Sequence, residues 1–149
     1  MKAKDFLTRE ECRRIEAAIG AAERCTSGEI RIHIERKCAS DPRERALRSF
    51  HFLGMTGTAA RNGVLIYVAC ESRKFAVLGD KGINEAVPSG FWKDVCAVLG
   101  DAFAAGRQAE GLERAVTLVG EKLKAFFPYQ ADDVNELPDE ISFEENEED

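Results

Sequence analysis

Four residues carry the chemistry this chain offers most plainly: Glu29, Asn62, Asp80 and Asn84, with Arg61 and Lys81 beside them. Carboxylate and amide oxygens are the donors that hard cations such as Ca2+ or Mg2+ take. Arg61 and Lys81, next to free N–H groups where a helix begins after Gly82, suit an anion instead. The same residues also allow a plain ion pair of Arg61 with Glu29 or Asp80.

These residues are distant in the chain, so the elements around them must bring them together. The run Arg61 to Gly82 reads as two strands and a tight reversal. Asn62-Gly63 has turn chemistry. Val64 to Cys70 is an unbroken apolar run, which suits a strand buried on both faces. Glu71 to Lys74 has hairpin-loop length, Phe75 to Leu78 returns, and Gly79-Asp80-Lys81-Gly82 stops the second strand. Upstream, Thr8 and Glu11 form a capping box for a helix running to about Arg24, with Leu7 stapling onto Cys12. Glu29 to Arg36 alternates, with Ile30, Ile32 and Ile34 on one side and Arg31, His33 and Glu35 on the other, which predicts a half-exposed strand. Asp41 caps a second helix with Pro42 in its first turn, an inner face of Ala46, Leu47, Phe50 and Leu53, and Gly54 at its end. Ser89 is the expected cap of a helix through Ala104. The last helix spans Leu112 to Phe127, with Phe126 in its apolar stripe and Pro128 ending it.

The element order is therefore α-β-α-β-β-α-α. The first strand, second helix and central strand make a β-α-β unit, so those strands should be parallel with a right-handed crossover. The return strand is antiparallel. This predicts an α/β fold, a helix–sheet–helix sandwich around a small mixed β-sheet. It also places Glu29, Arg61, Asn62, Asp80 and Asn84 at one sheet end. The opposite end offers Lys37, Asp41, Glu71 and Arg73, a solvated charge mixture that ranks second even though α/β sheets usually bind ligands there.

Other motifs are weaker. Cys25 to Arg31 matches the C-x-x-G-x-x-R phosphate loop of cysteine phosphatases. That chemistry needs a strand before the loop and a helix after it, whereas this order is reversed, so the dipole would point the wrong way. His33 and His51 lack metal-binding spacing. No Walker, dinucleotide or serine-hydrolase motif is present.

Composition narrows the class. The chain has 149 residues, 44% hydrophobic and 32% charged, with a net charge of −6, which is ordinary for one globular domain. The charge is uneven, because residues 132–149 hold ten acidic and no basic residues. Residues 6–128 are thus read as a single domain and residues 129–149 as an acidic, disordered tail. The basic excess of the body is too weak to argue for nucleic acid, and no nucleic-acid partner is expected. Five cysteines, an odd number without a C-x-x-C pair, favour a reducing compartment. The N-terminus has no apolar signal segment and no run is long enough to span a membrane. A cytoplasmic protein without a membrane span is the resulting expectation.

Taken in order, several of these pieces resemble the TPM domain family. They are L-T-x-x-E at Leu7–Glu11, T-S-G-E-I-R-I at Thr26–Ile32, N-G-V-L-I-Y-V at Asn62–Val68, G-D-K-G-I at Gly79–Ile83, and E-G-L-E-R-A-V at Glu110–Val116. N-E-L-P-D-E-I at Asn135–Ile141 resembles the tail of short bacterial members. The resemblance covers about Phe6 to Phe143. It implies an α/β sandwich and a divalent-metal site, Ca2+ foremost, at Glu29, Asn62 and Asp80, with Arg61 and Asn84 beside them. It further implies either a role in protein interaction or complex assembly, with an unidentified protein partner, or metal-assisted acid phosphatase activity on phosphomonoesters. Members often carry a signal peptide and a membrane anchor, and neither is expected from this sequence.

Overall fold

The computed structural model describes residues 2–130 and 136–144. A 3-10 turn at Ala3–Asp5 precedes α1 (Arg9–Glu23), β1 (Glu29–Glu35), α2 (Pro42–Phe52), β2 (Gly63–Ala69) and β3 (Lys74–Gly79). Then come α3 (Lys81–Ala86), α4 (Lys93–Ala104), α5 (Gln108–Lys124) and β4 (Ser142–Phe143). The strands form one mixed sheet in the order β3-β2-β1-β4. β2 is parallel to β1 and antiparallel to β3, as the crossover argument required. β4 adds a short parallel edge on β1.

The alternation of β1 and β2 sorts the core into two layers. Ile30, Ile32, Ile34, Val64, Ile66 and Val68 face α1, α4 and α5 through Ile15, Ile19, Leu99, Leu112 and Val116. Leu65, Tyr67 and Ala76 face α2 through Ala46 and Phe50. Helices α1 and α5 approach closely because Gly120 has no side chain. A Cβ there would lie 2.8 Å from that of Ala22.

Local signals explain the element ends. The Thr8–Glu11 capping box forms in full. Asp41 accepts from the Arg43 amide at 2.9 Å, with Pro42 opening α2. Gly54, just past α2, takes a positive φ of 69°, the usual helix stop.

Several expectations are corrected. The polar side of β1 is not half-exposed: His33 and Glu35 are both buried, because β4 and α2 flank them. Leu47 is 54% exposed, because Ala46 and Phe50 form the face of α2 that fills the core on this side of the sheet. Ser89 caps nothing. The chain makes a turn through Gly90 and α4 begins at Lys93 without a side-chain cap. Helix α5 starts at Gln108 and ends at Lys124, leaving Phe126 40% exposed beyond it. Cys70 falls just past β2, and all five cysteines are free.

The acidic tail also differs from expectation. Leu137 and Ile141 are buried against the body, and Ser142 and Phe143 pair with β1. Two apolar anchors and a strand edge outweigh the charge of the segment. The tail positions 131–135 and 145–149 lie outside the described residues. Among the described residues, no helix is long and apolar enough to cross a membrane.

Candidate functional site

The register brings the expected backbone positions together. Glu29 stands opposite Gly63, and its N–H donates to the Asn62 carbonyl at 3.1 Å. The Asp80 N–H donates to the Gly63 carbonyl at 2.9 Å. The three strand ends therefore converge as the topology predicts.

Their side chains then part. Glu29 accepts a 2.6 Å hydrogen bond from the Leu137 amide, so it is committed to the C-terminal segment. Leu137 and Met55 flank the bare Cα of Gly63, between Glu29 and Asp80. Asn62 donates its side-chain amide to the Ser27 carbonyl at 2.8 Å. Its Oδ1 is buried with no hydrogen-bond partner. Asn84 donates to the Gly79 carbonyl at 3.0 Å.

Asp80 is the centre of what remains. It is the N-cap of α3, accepting from the Lys81 amide at 2.7 Å. Both its oxygens accept from Arg61, at 2.8 and 2.9 Å. This is the planar two-point pairing that guanidinium and carboxylate favour. Arg61 is held in place by a left-handed backbone, φ 50°, and by the Gly82 N–H donating to its carbonyl at 2.9 Å. A Cβ on Gly82 would sit 2.2 Å from the Ala60 carbonyl oxygen, so only glycine lets α3 press on this loop. The hydrogen bond to Asp80 raises the pKa of Arg61 further.

Asp80, Arg61, Lys81 and Asn84 line a groove of about 670 Å³ between α2 and the β3–α3 corner, with Glu44 and His51 on the α2 side. Glu29 and Asn62 are not among its lining residues. Lys81 is exposed and lies 4.0 Å from Glu85. At the opposite sheet end, Glu71 pairs with Arg36 at 3.2 Å and Asp41 serves as a helix cap. Cys25 follows α1 and Arg31 lies within β1, the reversed order that ruled out a phosphatase loop.

Arg61 decides whether a hard cation fits. The oxygen donors suit one, yet Arg61 already supplies Asp80 with a positive partner. Among the described residues no three His, Cys, Asp or Glu side chains are grouped to hold a metal. Of the expected ligands, Asp80 and Asn84 are the two that line this groove, and Asp80 is paired to Arg61 through both oxygens.

Two further clusters gave little sign in the sequence. Glu35 accepts from Arg45 at 2.7 and 2.8 Å and from the Tyr67 hydroxyl at 2.7 Å, with His33 Nε2 at 3.5 Å. Burial alone would raise its pKa, but the hydrogen bonds of His33, Arg45 and Tyr67 outweigh burial and hold it at about 2. Burial and Glu35 together push the Tyr67 hydroxyl upward. The second cluster is acidic. Burial pushes Glu23 up to about 9, with Asp139 against it, and Glu29 up to about 7, with Glu136 adding to the rise. Neither partner could be read from spacing, because Asp139 and Glu136 come from the C-terminal segment.

The model of the TPM domain matches residues 1–122. The chain belongs to the TPM domain family. The fold of this TPM domain is close to the NMR structure of the BA42 protein from the psychrophilic bacterium Bizionia argentinensis. The TM-score is 0.89 at 43% identity, covering 96% of this chain and 99% of that one. The N-terminal domain of a P. gingivalis protein shares the fold at TM-score 0.65 and 17% identity, over 84% of this chain and 82% of that one. The N-terminal domain of the cg2496 protein from Corynebacterium glutamicum does so at 0.62 and 15%, over 77% and 72%. Among curated proteins none matches.

Proposed function

We propose that this TPM domain is a metal-responsive interaction module that takes Ca2+ or Mg2+ in the groove at Asp80. One observation carries this reading: Asp80 is 6% exposed, yet its charge is balanced by an arginine whose side chain is 43% exposed. An exposed partner can leave a buried carboxylate at little cost in its own hydration, so cation and Arg61 compete for the same oxygens. Asp80 and Asn84 would hold the ion. The freed guanidinium would then be available to an acidic group on a protein partner.

Amide NMR during a Ca2+ titration tests the proposal. Saturable shifts are expected at Arg61 and from Gly79 to Glu85, and Asp80→Asn should remove them. A spectrum that stays still to millimolar Ca2+ would refute it.

The family's model bears the name TPM phosphatase, and Arg61 and Lys81 line the same groove. Both favour a second reading, metal-assisted hydrolysis of a phosphomonoester. A bound cation would there polarise the phosphoryl group and its water, Arg61 would steady the phosphate, and Asp80 is the candidate base. Turnover of a generic phosphomonoester that survives Asp80→Asn counts against it.

A further inference from the structure

The helix layer formed by α1, α4 and α5 holds a pocket of its own. It measures about 550 Å³ and lies at the carboxyl end of β2, between the β2–β3 hairpin, the end of α4 and the start of α5. Val68 at the end of β2 and the rings of Phe6, Phe75 and Phe103 line it. Phe103 meets the other two rings edge to face, at centroid distances of 6.0 and 5.6 Å. All three rings stay half-buried, so the aromatic cluster keeps apolar surface open. Gly100 of α4 brings no side chain into this space, where a Cβ would stand 3.8 Å from Phe75 Cζ.

No carboxylate lines this pocket, whereas two cations do, Arg73 and Lys74. Lys74 Nζ donates to the Cys38 and Ser40 carbonyls at 3.0 and 3.1 Å. Arg73 is exposed and has no acidic partner among the described residues. Glu71, the nearest acid in sequence, pairs with Arg36 at 3.2 Å and with Lys37 at 3.9 Å instead. The Arg73 backbone is left-handed, φ 56°. Glycine takes that conformation freely, and a long side chain is strained in it. The hairpin thus holds a guanidinium beside the aromatic pocket at a cost in stability, the pattern expected where a residue serves a ligand.

We propose that this pocket binds a small amphipathic carboxylate, its apolar body among the three phenylalanines and its head on Arg73. The carboxyl ends of parallel strands are where α/β sheets take ligands. A concave, mainly apolar cavity of this volume with one or two polar groups suits a single small molecule. A guanidinium pairs a carboxylate through two parallel hydrogen bonds, and one guanidinium balances one charge, which favours a carboxylate over a phosphate dianion. The pocket lies at the opposite sheet end from Asp80 and on the opposite face from α2, so the inference stands without the cation proposed above.

Decanoate, titrated into the full chain without Ca2+ and below its micelle-forming concentration, tests it by amide NMR. Saturable shifts are expected at Phe75, Gly100, Phe103 and Gly106. Arg73→Asn, a residue that tolerates the left-handed backbone, should weaken binding about tenfold with an unchanged melting temperature. Gly100→Leu fills the cavity and should abolish binding. Lys124→Gln, on an exposed position at the far end of α5, should leave affinity within about twofold. Decanol, which has the same chain and no charge, should bind about tenfold more weakly than decanoate. Equal losses in Arg73→Asn and Lys124→Gln would mean unspecific charge attraction and overturn the proposal. Equal binding of decanol and decanoate would overturn it too, as would shifts spread over the whole chain or none at all. Binding to vesicles of anionic phospholipid without binding of decanoate would make a membrane surface the occupant and likewise overturn it.

Discussion

Glu29 Oε1 lies 2.6 Å from the backbone nitrogen of Leu137, 108 positions further along the chain. This contact reassigns Glu29 from a candidate ligand to the anchor of a C-terminal strap. Leu137 and Ile141 fix the strap by burial, the Ile141 amide donates to Glu16 at 3.0 Å, and β4 completes the sheet edge. Leu137→Ala should therefore cost about 2 kcal/mol, read by urea unfolding, with the largest loss of amide protection at β4 and the outer edge of β1.

The acids under the strap set a pH dependence. Glu29 titrates near 7 in the fold and Glu23 near 9, both above the ordinary value of 4.5. The folded state then holds protons that the unfolded chain has lost, so stability falls as pH rises through these values and is fully regained only below 4.5. The melting temperature is expected to climb as pH is lowered from 8 to 5.5. Glu29→Gln should flatten the part of the slope below about pH 7, because the amide stays neutral and its carbonyl still accepts from Leu137. An unchanged slope in that variant would exclude Glu29 as its source. Glu35, held near 2, is ionised throughout this window and adds no slope there.

Glu35 has its own test. Its carboxylate satisfies a buried Tyr67 hydroxyl and a partly exposed Arg45. Tyr67→Phe removes one donor and leaves Arg45 in place, at about 1 kcal/mol. Glu35→Ala strands both partners and should cost about 3 kcal/mol. Chemical denaturation of the two variants and their combination measures the coupling, and additivity would mean the residues do not act as one network.

Gly82→Ala tests how the Asp80 corner is built. The added carbon meets the Ala60 carbonyl oxygen at 2.2 Å and that of Arg61 at 2.7 Å. Backbone cannot rotate aside as a side chain does, so a loss of about 2 kcal/mol or more is expected. The Arg61–Asp80 pair should loosen with it, visible as a changed Arg61 Nε resonance.

Arg61→Gln separates competition from support. If Arg61 and a cation share Asp80, removing the guanidinium should tighten Ca2+ several-fold in calorimetry. Weaker binding would show that Arg61 supports the site instead of guarding it.

Much of this fold is legible in the sequence because it rests on local, periodic signals. The Thr8–Glu11 box, the Asp41-Pro42 helix start, the apolar run after Gly63 and the hairpin at Glu71 to Lys74 are each read within a few residues and recur in the structure. Parallel crossover logic then places Glu29, Asn62 and Asp80 at one sheet end, and their backbones do meet there. Backbone position along a strand follows from register, which the hydrophobic pattern fixes.

Side-chain direction at that end does not follow from register. Whether Glu29 faces Asp80 or Leu137 depends on a strap whose acidic composition hides two apolar anchors, Leu137 and Ile141. Their burial is worth more than the charge around them costs, a comparison only the packed body makes. The alternation of Arg31, His33 and Glu35 likewise signals a polar face in sequence, while the tertiary structure buries His33 and Glu35 and leaves Arg31 half-buried. Sequence alone determined which strand ends meet. Packing against the strap and α2 decided which side chains share a site, because those partners lie tens of residues away and carry no periodic signal of their own.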